Sequence, residues 1–293
     1  ANEDGALSDA AFVLANVPGA GARVSSGFAV GGGPLAHNSG TVDALCRAAQ
    51  ELSDRMSCPT IELRSGDAPD DWHFTEDSHA GFVRDLAHDD EQQLLDIPRK
   101  QRAEIRKSLK LDLDVTVGGD EEDRAAHYAV YAASVHNLGT PVFPRSLFDS
   151  MLDTFGDDAD ILTVRHEGVP VASVLSFYHD GAVMPYWGGG TFAARHLRAN
   201  ERMYFELMLH ARKHGMERFD FGRSKLGSGP YSYKKNWGFE PQALRYASWT
   251  AAGHVKRDVN PNSDVYSAKI AAWKRLPLPV ANLIGPMIAK GLA

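Results

Sequence analysis

Between Phe219 and Phe239 the chain gathers one acid, four cations and six aromatic residues. The order is Phe219-Asp220-Phe221-Gly222-Arg223-Ser224-Lys225, then Gly227-Ser228-Gly229, then Tyr233-Lys234-Lys235-Asn236-Trp237-Gly238-Phe239. Asp220 is placed at the end of a predicted central strand. In open α/β sheets, ligands bind beyond the carboxyl ends of the strands. Arg223 and Lys225 at such a place would face an anion, since a guanidinium grips phosphate with two parallel bonds and an ammonium adds a point charge. The glycines let backbone N–H groups approach the same ligand. A glycine-rich hairpin with solvated charges accounts for the same letters. It seldom brings an acid, an arginine, lysines and aromatics together within twenty residues, so the segment is read as the site.

A second group of cations lies earlier. Ile97-Pro98 opens a predicted helix, with proline in its first turn. Arg99, Arg102, Arg106 and Lys110 recur at helical spacing, opposite an apolar edge of Ile97, Ile105 and Leu109. The face is either simply solvated or an anion-facing wall of a cleft, meeting tRNA phosphates or a lipid diphosphate. Lys100 and Arg102 are the binding candidates there. Tyr186 and Trp187 are candidates for lining an acceptor pocket. His210 and His214 share a helical face without a third ligand, so no metal site is expected. Ser224 lacks the Gly-x-Ser-x-Gly elbow of serine hydrolases. Gly188-Gly189-Gly190 has no phosphate-loop lysine and is read as a tight bend where strand meets helix.

The elements that would position these residues show a repeat. Val24–Val30 is extended and runs into Gly31-Gly32-Gly33. A helical pattern through Val42, Leu45, Ala49, Leu52 and Met56 follows, then a short strand at 60–64. In the second half Ala182–Trp187 runs into Gly188-Gly189-Gly190. A helix through Met203, Leu207, Met208 and Ala211 follows, then a strand from Arg218. The period changes from 2 to 3.6 and back at matching places. Between the copies, the pattern predicts a strand over 111–117, helices over 123–135 and 145–155, and a hairpin of 161–165 with 169–177 around Glu167-Gly168. The fold class is therefore α/β: two lobes from an internal duplication, mixed sheets flanked by helices. The expected limits are 1–117 for the first lobe, 118–252 for the second, and 253–293 for a helical tail. A helix is expected over 264–276. The apolar stretch 280–292 is too short to span a bilayer, and either covers the core or lies in a membrane interface.

The 293-residue chain carries a net charge of −7. Bulk charge argues against a DNA-binding protein and leaves room for a local basic patch. Cys46 and Cys58 lack metal-ligand spacing and read as reduced thiols of a cytoplasmic protein. No run of about 18 apolar residues exists to span a membrane. The chain starts at Ala1 and reaches apolar sequence at once, which suggests a trimmed opening segment.

Asp220 to Lys225, followed by Tyr233-Lys234-Lys235-Asn236-Trp237-Gly238-Phe239-Glu240-Pro241, resembles the FemAB-related branch of the GNAT-fold acyltransferases. More narrowly, it resembles the FemAB-like proteins associated with exosortase (PEP-CTERM) and exopolysaccharide systems. His136 to Pro144, Ile97 to Arg102 and Trp273 to Leu278 fit the same pattern. The front departs from it, lacking the usual opening strands of the first lobe. The resemblance implies two GNAT-like lobes. It also implies transfer of an acyl or aminoacyl group to an amine on a lipid- or nucleotide-linked envelope precursor, of polysaccharide or peptidoglycan type. The aromatic-Lys-x-x-aromatic-Gly segment would hold Lys234 near the reacting carbonyl, where its ammonium could stabilise an oxyanion. Asp220 would orient that lysine or take a proton from the incoming amine. Arg223, Lys225, Tyr186, Lys100 and Arg102 would bind substrate, an anionic small-molecule or lipid-linked acceptor.

No tightly bound cofactor is implied, and the donor stays open between aminoacyl-tRNA and acyl-CoA. An acyl-CoA-dependent N-acetyltransferase is the nearest alternative. Against it, Arg223 to Gly229 has one residue more than the usual GNAT pyrophosphate loop and precedes what reads as an aromatic strand. A non-catalytic binding module of an exopolysaccharide system is the third reading. Peripheral contact with the inner membrane face through 264–292 is a further expectation.

Overall fold

A computed structural model of the chain describes residues 14–17, 22–25, 31–64, 67–254 and 270–289, and the chain divides into two compact units. The first comprises residues 1–79, 243–261 and 288–293. Its sheet contains β1 (Leu14–Val17), β2 (Ala22–Ser25), β3 (Thr60–Leu63), β4 (His73–Thr75) and β12 (Tyr246–Thr250), in the order β1-β2-β3-β12-β4. Helix α1 (Ser39–Arg55) starts at Asn38, whose side chain accepts a hydrogen bond from the Thr41 amide. Val42, Cys46 and Ala49 of α1 pack against Ile61, Leu63, Trp72 and Ala247. Both cysteines are free and buried, and burial pushes the Cys46 thiol up to about 11, which leaves it unreactive.

The second unit comprises residues 80–242 and 262–287. In chain order it contains β5 (His79–Asp85), α2 (Asp90–Asp96), α3 (Arg99–Ser108), β6 (Asp114–Gly118), α4 (Glu121–Leu138), α5 (Arg145–Phe155), β7 (Ala159–His166), β8 (Val169–His179) and β9 (Ala182–Gly190). Then come α6 (Ala194–Leu197), α7 (Ala199–Lys213), β10 (Arg218–Lys225), α8 (Gly229–Asn236), β11 (Gln242–Ala243) and α9 (Leu278–Ala289). The sheet order is β11-β5-β10-β9-β8-β7-β6. The β7–β8 and β8–β9 hairpins turn at Glu167-Gly168 and Asp180-Gly181. All four residues have positive φ, the tight turn that matches strand twist.

Successive strand residues face opposite sides. Leu162, Val164, Val174 and Val183 join Ile105 of α3 and Met203 and Leu207 of α7 in one core. Ile161, Leu175, Phe177 and Trp187 join Tyr131 of α4 and Phe148 of α5 in the other. The sheet is therefore covered on both faces, and the fold is the expected mixed α/β arrangement of two sheets with flanking helices. The β–α–β order read from the glycine triplets is present in both units. Strands β2 and β3 are parallel around α1, and β9 and β10 are parallel around α7.

Several expectations are corrected. The units divide at 79 and 242, not at 117 and 252. Strand β12 pairs antiparallel with both β3 and β4, which takes 246–250 into the first sheet, while β5 to α3 belong with the second. Gly188, Gly189 and Gly190 do not bend the chain; they are strand residues paired with Val174, Ser173 and Ala172 of β8. A Cβ at Gly188 would meet Val174 Cγ2 at 2.9 Å, one at Gly189 would collide with Ser134 of α4, and one at Gly190 would meet Ala194 Cβ at 2.7 Å. These glycines let helices approach the sheet from both sides. On α3, Leu109 is exposed, and the buried face is Gln101, Ile105 and Ser108. In the tail, 264–269 and 290–292 lie outside the described residues. No helix among the described residues is long and apolar enough to cross a membrane.

Candidate active site

Strands β9 and β10 are parallel neighbours, yet they pair only through Arg218↔Ala182 and Phe219↔Val183. Beyond those residues β9 continues along β8 to Gly190, and β10 runs on to Lys225. The two strands thus part toward their carboxyl ends. Beyond those two pairs no ladder joins the strands, the kind of opening at strand ends where ligands bind in open α/β sheets.

Asp220 lies inside β10, not at its end, because the strand continues to Lys225. Its carboxylate accepts a hydrogen bond from the Gly222 amide at 2.8 Å, and Gly222 has φ 68°. This local turn, which glycine makes without strain, resets the alternation. Phe219 and Phe221 point into the core, and the next buried residue is Ser224 rather than Arg223. The Ser224 hydroxyl is buried with no hydrogen-bond partner among the described residues. Lys225 is exposed at the strand's end, and Arg223 is half-buried.

The segment after β10 is a helix, contrary to the hairpin and strand readings. Ser228 caps α8 by accepting from the Tyr231 amide, and Pro230 sits in the first turn. At the other end Gly238, at φ 83°, donates to Lys235 O, and the Phe239 amide donates to Lys234 O. That pattern is a Schellman ending, so Trp237-Gly238-Phe239 is a helix stop with both aromatics buried. Tyr231 and Tyr233, two apart, imitate a strand. The helical pair is Tyr233 with Trp237, whose rings lie 6.3 Å apart. The strand–glycine–helix connection of a pyrophosphate loop is therefore present at 218–236, although the loop keeps its extra residue.

Helix α8 carries Lys234 back onto β10. Its Nζ donates to the Arg223 carbonyl at 2.9 Å and lies 5.4 Å from the Phe82 ring centroid and 5.6 Å from that of Phe221. Burial holds its pKa down to about 8; Asp220 works in the opposite direction, and Arg223 adds to the depression. Burial likewise raises the Asp220 carboxyl, against the Gly222 hydrogen bond and the charge of Lys234. An acid and a base are thus held at opposed, perturbed ionisations on one strand edge. The Glu201 carboxyl of α7 is raised by burial, and the hydroxyl of Tyr233, the residue before Lys234 on α8, is pushed up by burial and by Glu201. Nothing in the sequence pattern singled out Phe82, because it reaches the lysine from an element distant in the chain.

Asp220, Arg223 and Lys234 are brought together, with Lys225 at the rim. Tyr186 is not part of that group. It is the extra residue of a bulge, since Leu175 pairs with Trp187 and Ser176 with Pro185. Its ring packs against Phe177 and Trp187, in the core on the opposite face. On α3, Arg102 donates to Leu95 O and lines a cavity of about 340 Å³ with Arg99, Arg106, Lys107 and Lys110. Lys100 is exposed outside that lining. Among the described residues no cluster of three or more His, Cys, Asp or Glu is arranged to hold a metal.

The parted parallel strands and the half-buried lysine lie within residues 99–235, which match the model of the acetyltransferase (GNAT) domain family from the start of α3 into α8. The matched residues are just under half of the chain, and that segment is similar to a GNAT acetyltransferase domain in sequence and in fold. No curated protein matches the chain. Among solved structures, FemX is similar over 80% of this chain and 82% of its own, with a TM-score of 0.59 at 14% identity. The C-terminal domain of a proposed lysylphosphatidylglycerol synthetase from Agrobacterium fabrum is similar over 91% of this chain and 85% of its own, with a TM-score of 0.60 at 10% identity. A tandem GNAT protein of clavulanic acid biosynthesis is similar over 83% and 78%, with a TM-score of 0.50 at 17% identity. At these identities the likeness is one of fold.

Proposed function

We propose that the second unit transfers an acyl or aminoacyl group to an amine and so makes an amide. The observation that carries the reading is Lys234, a desolvated cation held by the Arg223 carbonyl where β9 and β10 part. The acceptor nitrogen attacks the donor carbonyl and forms the C–N bond. The C–O bond of an ester donor, or the C–S bond of a thioester, then breaks. Lys234 Nζ has N–H groups to spare beyond its bond to Arg223 and stabilises the oxyanion in between. The amine's proton passes to Asp220, which its raised pKa makes a stronger base than a solvated carboxylate, and from there to the leaving oxygen or sulfur. Arg223, Lys225 and the Arg102 wall of α3 hold the anionic part of donor or acceptor. Lys100 would serve the same wall only in a rearranged state.

The acceptor we favour is an envelope precursor of the polysaccharide or peptidoglycan type. The support is the resemblance of 220–241 to the exosortase-associated FemAB-like proteins, and the fold shared with FemX and a proposed lysylphosphatidylglycerol synthetase. Acyl-CoA is the alternative donor, favoured by the strand–glycine–helix connection at 218–236. The test supplies the full chain with amine acceptors and either aminoacyl-tRNA or acetyl-CoA, with amide product read by mass spectrometry. Product from one donor, lost on Lys234→Met, is expected. Undiminished product from the Lys234→Met chain would overturn the assignment.

A further inference from the structure

Helix α9 buries its small residues and exposes its large ones. Ala281, Gly285 and Ala289, four apart, are buried, and a Cβ at Gly285 would meet the Val142 amide nitrogen at 3.1 Å and its carbonyl oxygen at 3.2 Å. The opposite side presents Leu283 at 76% exposure, Met287 at 73% and Val280 at 42%. Core-facing helices of ordinary domains do the reverse, and a contiguous apolar face left in water marks an interaction surface.

Charge indicates what covers it. Lys274 and Arg275, just ahead of the helix, are exposed, and Lys290 follows it in the sequence. The last acidic residue of the chain is Asp264, so the helix and its flanks carry no carboxylate in a protein of net charge −7. An apolar face bounded by cations and free of acids is complementary to a bilayer with anionic headgroups. Twelve residues are too few to cross a membrane, so the helix would lie in the interface with its small-residue edge toward the protein. We propose that α9 seats this protein on an anionic lipid surface through Val280, Leu283 and Met287, with Lys274 and Arg275 against the headgroups.

The test mixes the full chain with sedimenting vesicles of phosphatidylcholine, with or without phosphatidylglycerol. Binding to the phosphatidylglycerol vesicles alone, weakening as salt rises, is expected. The Leu283→Glu/Met287→Glu chain should lose it. Lys274→Glu/Arg275→Glu should weaken it by about tenfold or more. All four side chains are exposed or flank the helix, so the variants should melt with the wild type. No partitioning onto anionic vesicles, or unchanged partitioning of the Leu283→Glu/Met287→Glu chain, would overturn the proposal. So would concentration-dependent dimerisation abolished by the same pair, which would make a second copy the cover. Binding needs no acyl donor, so its failure would leave the transfer chemistry untouched.

Discussion

Lys234 shows what burial does to a catalytic candidate. A lysine in water is protonated far above neutrality, whereas this one is held down to about 8 and remains mostly cationic at pH 7. An oxyanion stabiliser of this kind is lost as pH rises through that value. We expect kcat to fall above pH 8, and Lys234→Arg to remove that limb while Lys234→Met lowers kcat by about 10²–10³. Asp220 raises the lysine's pKa, so Asp220→Asn should move the basic limb to lower pH; a pH–rate profile measures both. Desolvating the ammonium opposes folding increasingly as pH falls from 10.5, and in full below about 8. Lys234→Met also sets an apolar side chain between Phe82 and Phe221, and should melt no lower than wild type at pH 7.

At the scale of elements, the site depends on how closely helices approach β9. The glycines at 188–190 occupy strand positions where any side chain would strike α4, α6 or the β8 neighbour. Gly189→Ala should destabilise by about 1–3 kcal/mol through overpacking against Ser134. Ser134→Gly should recover part of that loss, and thermal or urea unfolding of the double-mutant cycle reads the coupling. Helix α8 is the second determinant, because its Ser228 start and Gly238 stop set the turn on which Lys234 returns to β10. Histidine matters at this scale too. His127 of α4 is buried with Nδ1 3.1 Å from Ser173 Oγ, and burial pulls its pKa down to about 3. The unfolded chain protonates it near 6.5, so stability should decline as pH falls below 6.5; melting curves across that range check it.

At the scale of the whole molecule, the order of elements along the chain is not their order in space. Strand β12 comes after the entire second sheet, yet it lies between β3 and β4 in the first. Truncation after Gln242 removes a central strand of that sheet along with Ala247 of its core. Amide exchange should then show α1 and β3 unprotected in the 1–242 chain, while α7 and β8 stay protected. A 1–117 fragment, the first lobe as drawn from sequence, lacks the same strand and is expected to be unfolded by the same measurement.

Local pattern carried much of this. Helix 145–155, the hairpin at Glu167-Gly168 and the β–α–β repeat are written in period, caps and turn residues, which act over a few positions. So is the clustering of Asp220, Arg223, Lys225 and Lys234 within one short segment. Four things were decided only by tertiary structure. Tyr186 faces away with Met184, and the bulge it makes in β9 turns Trp187 to the same side. Lys100 lies outside the groove its neighbours line. Gly188 to Gly190 are paired strand rather than bend because a flanking helix or strand needs the space on each side. Residues 246–250 belong to the first sheet because hydrogen bonds, not chain order, choose a strand's neighbours. The last is the general reason: a side chain's use depends on what packs against it from elements far away in the chain. Phe82 reached the Lys234 site by that route alone.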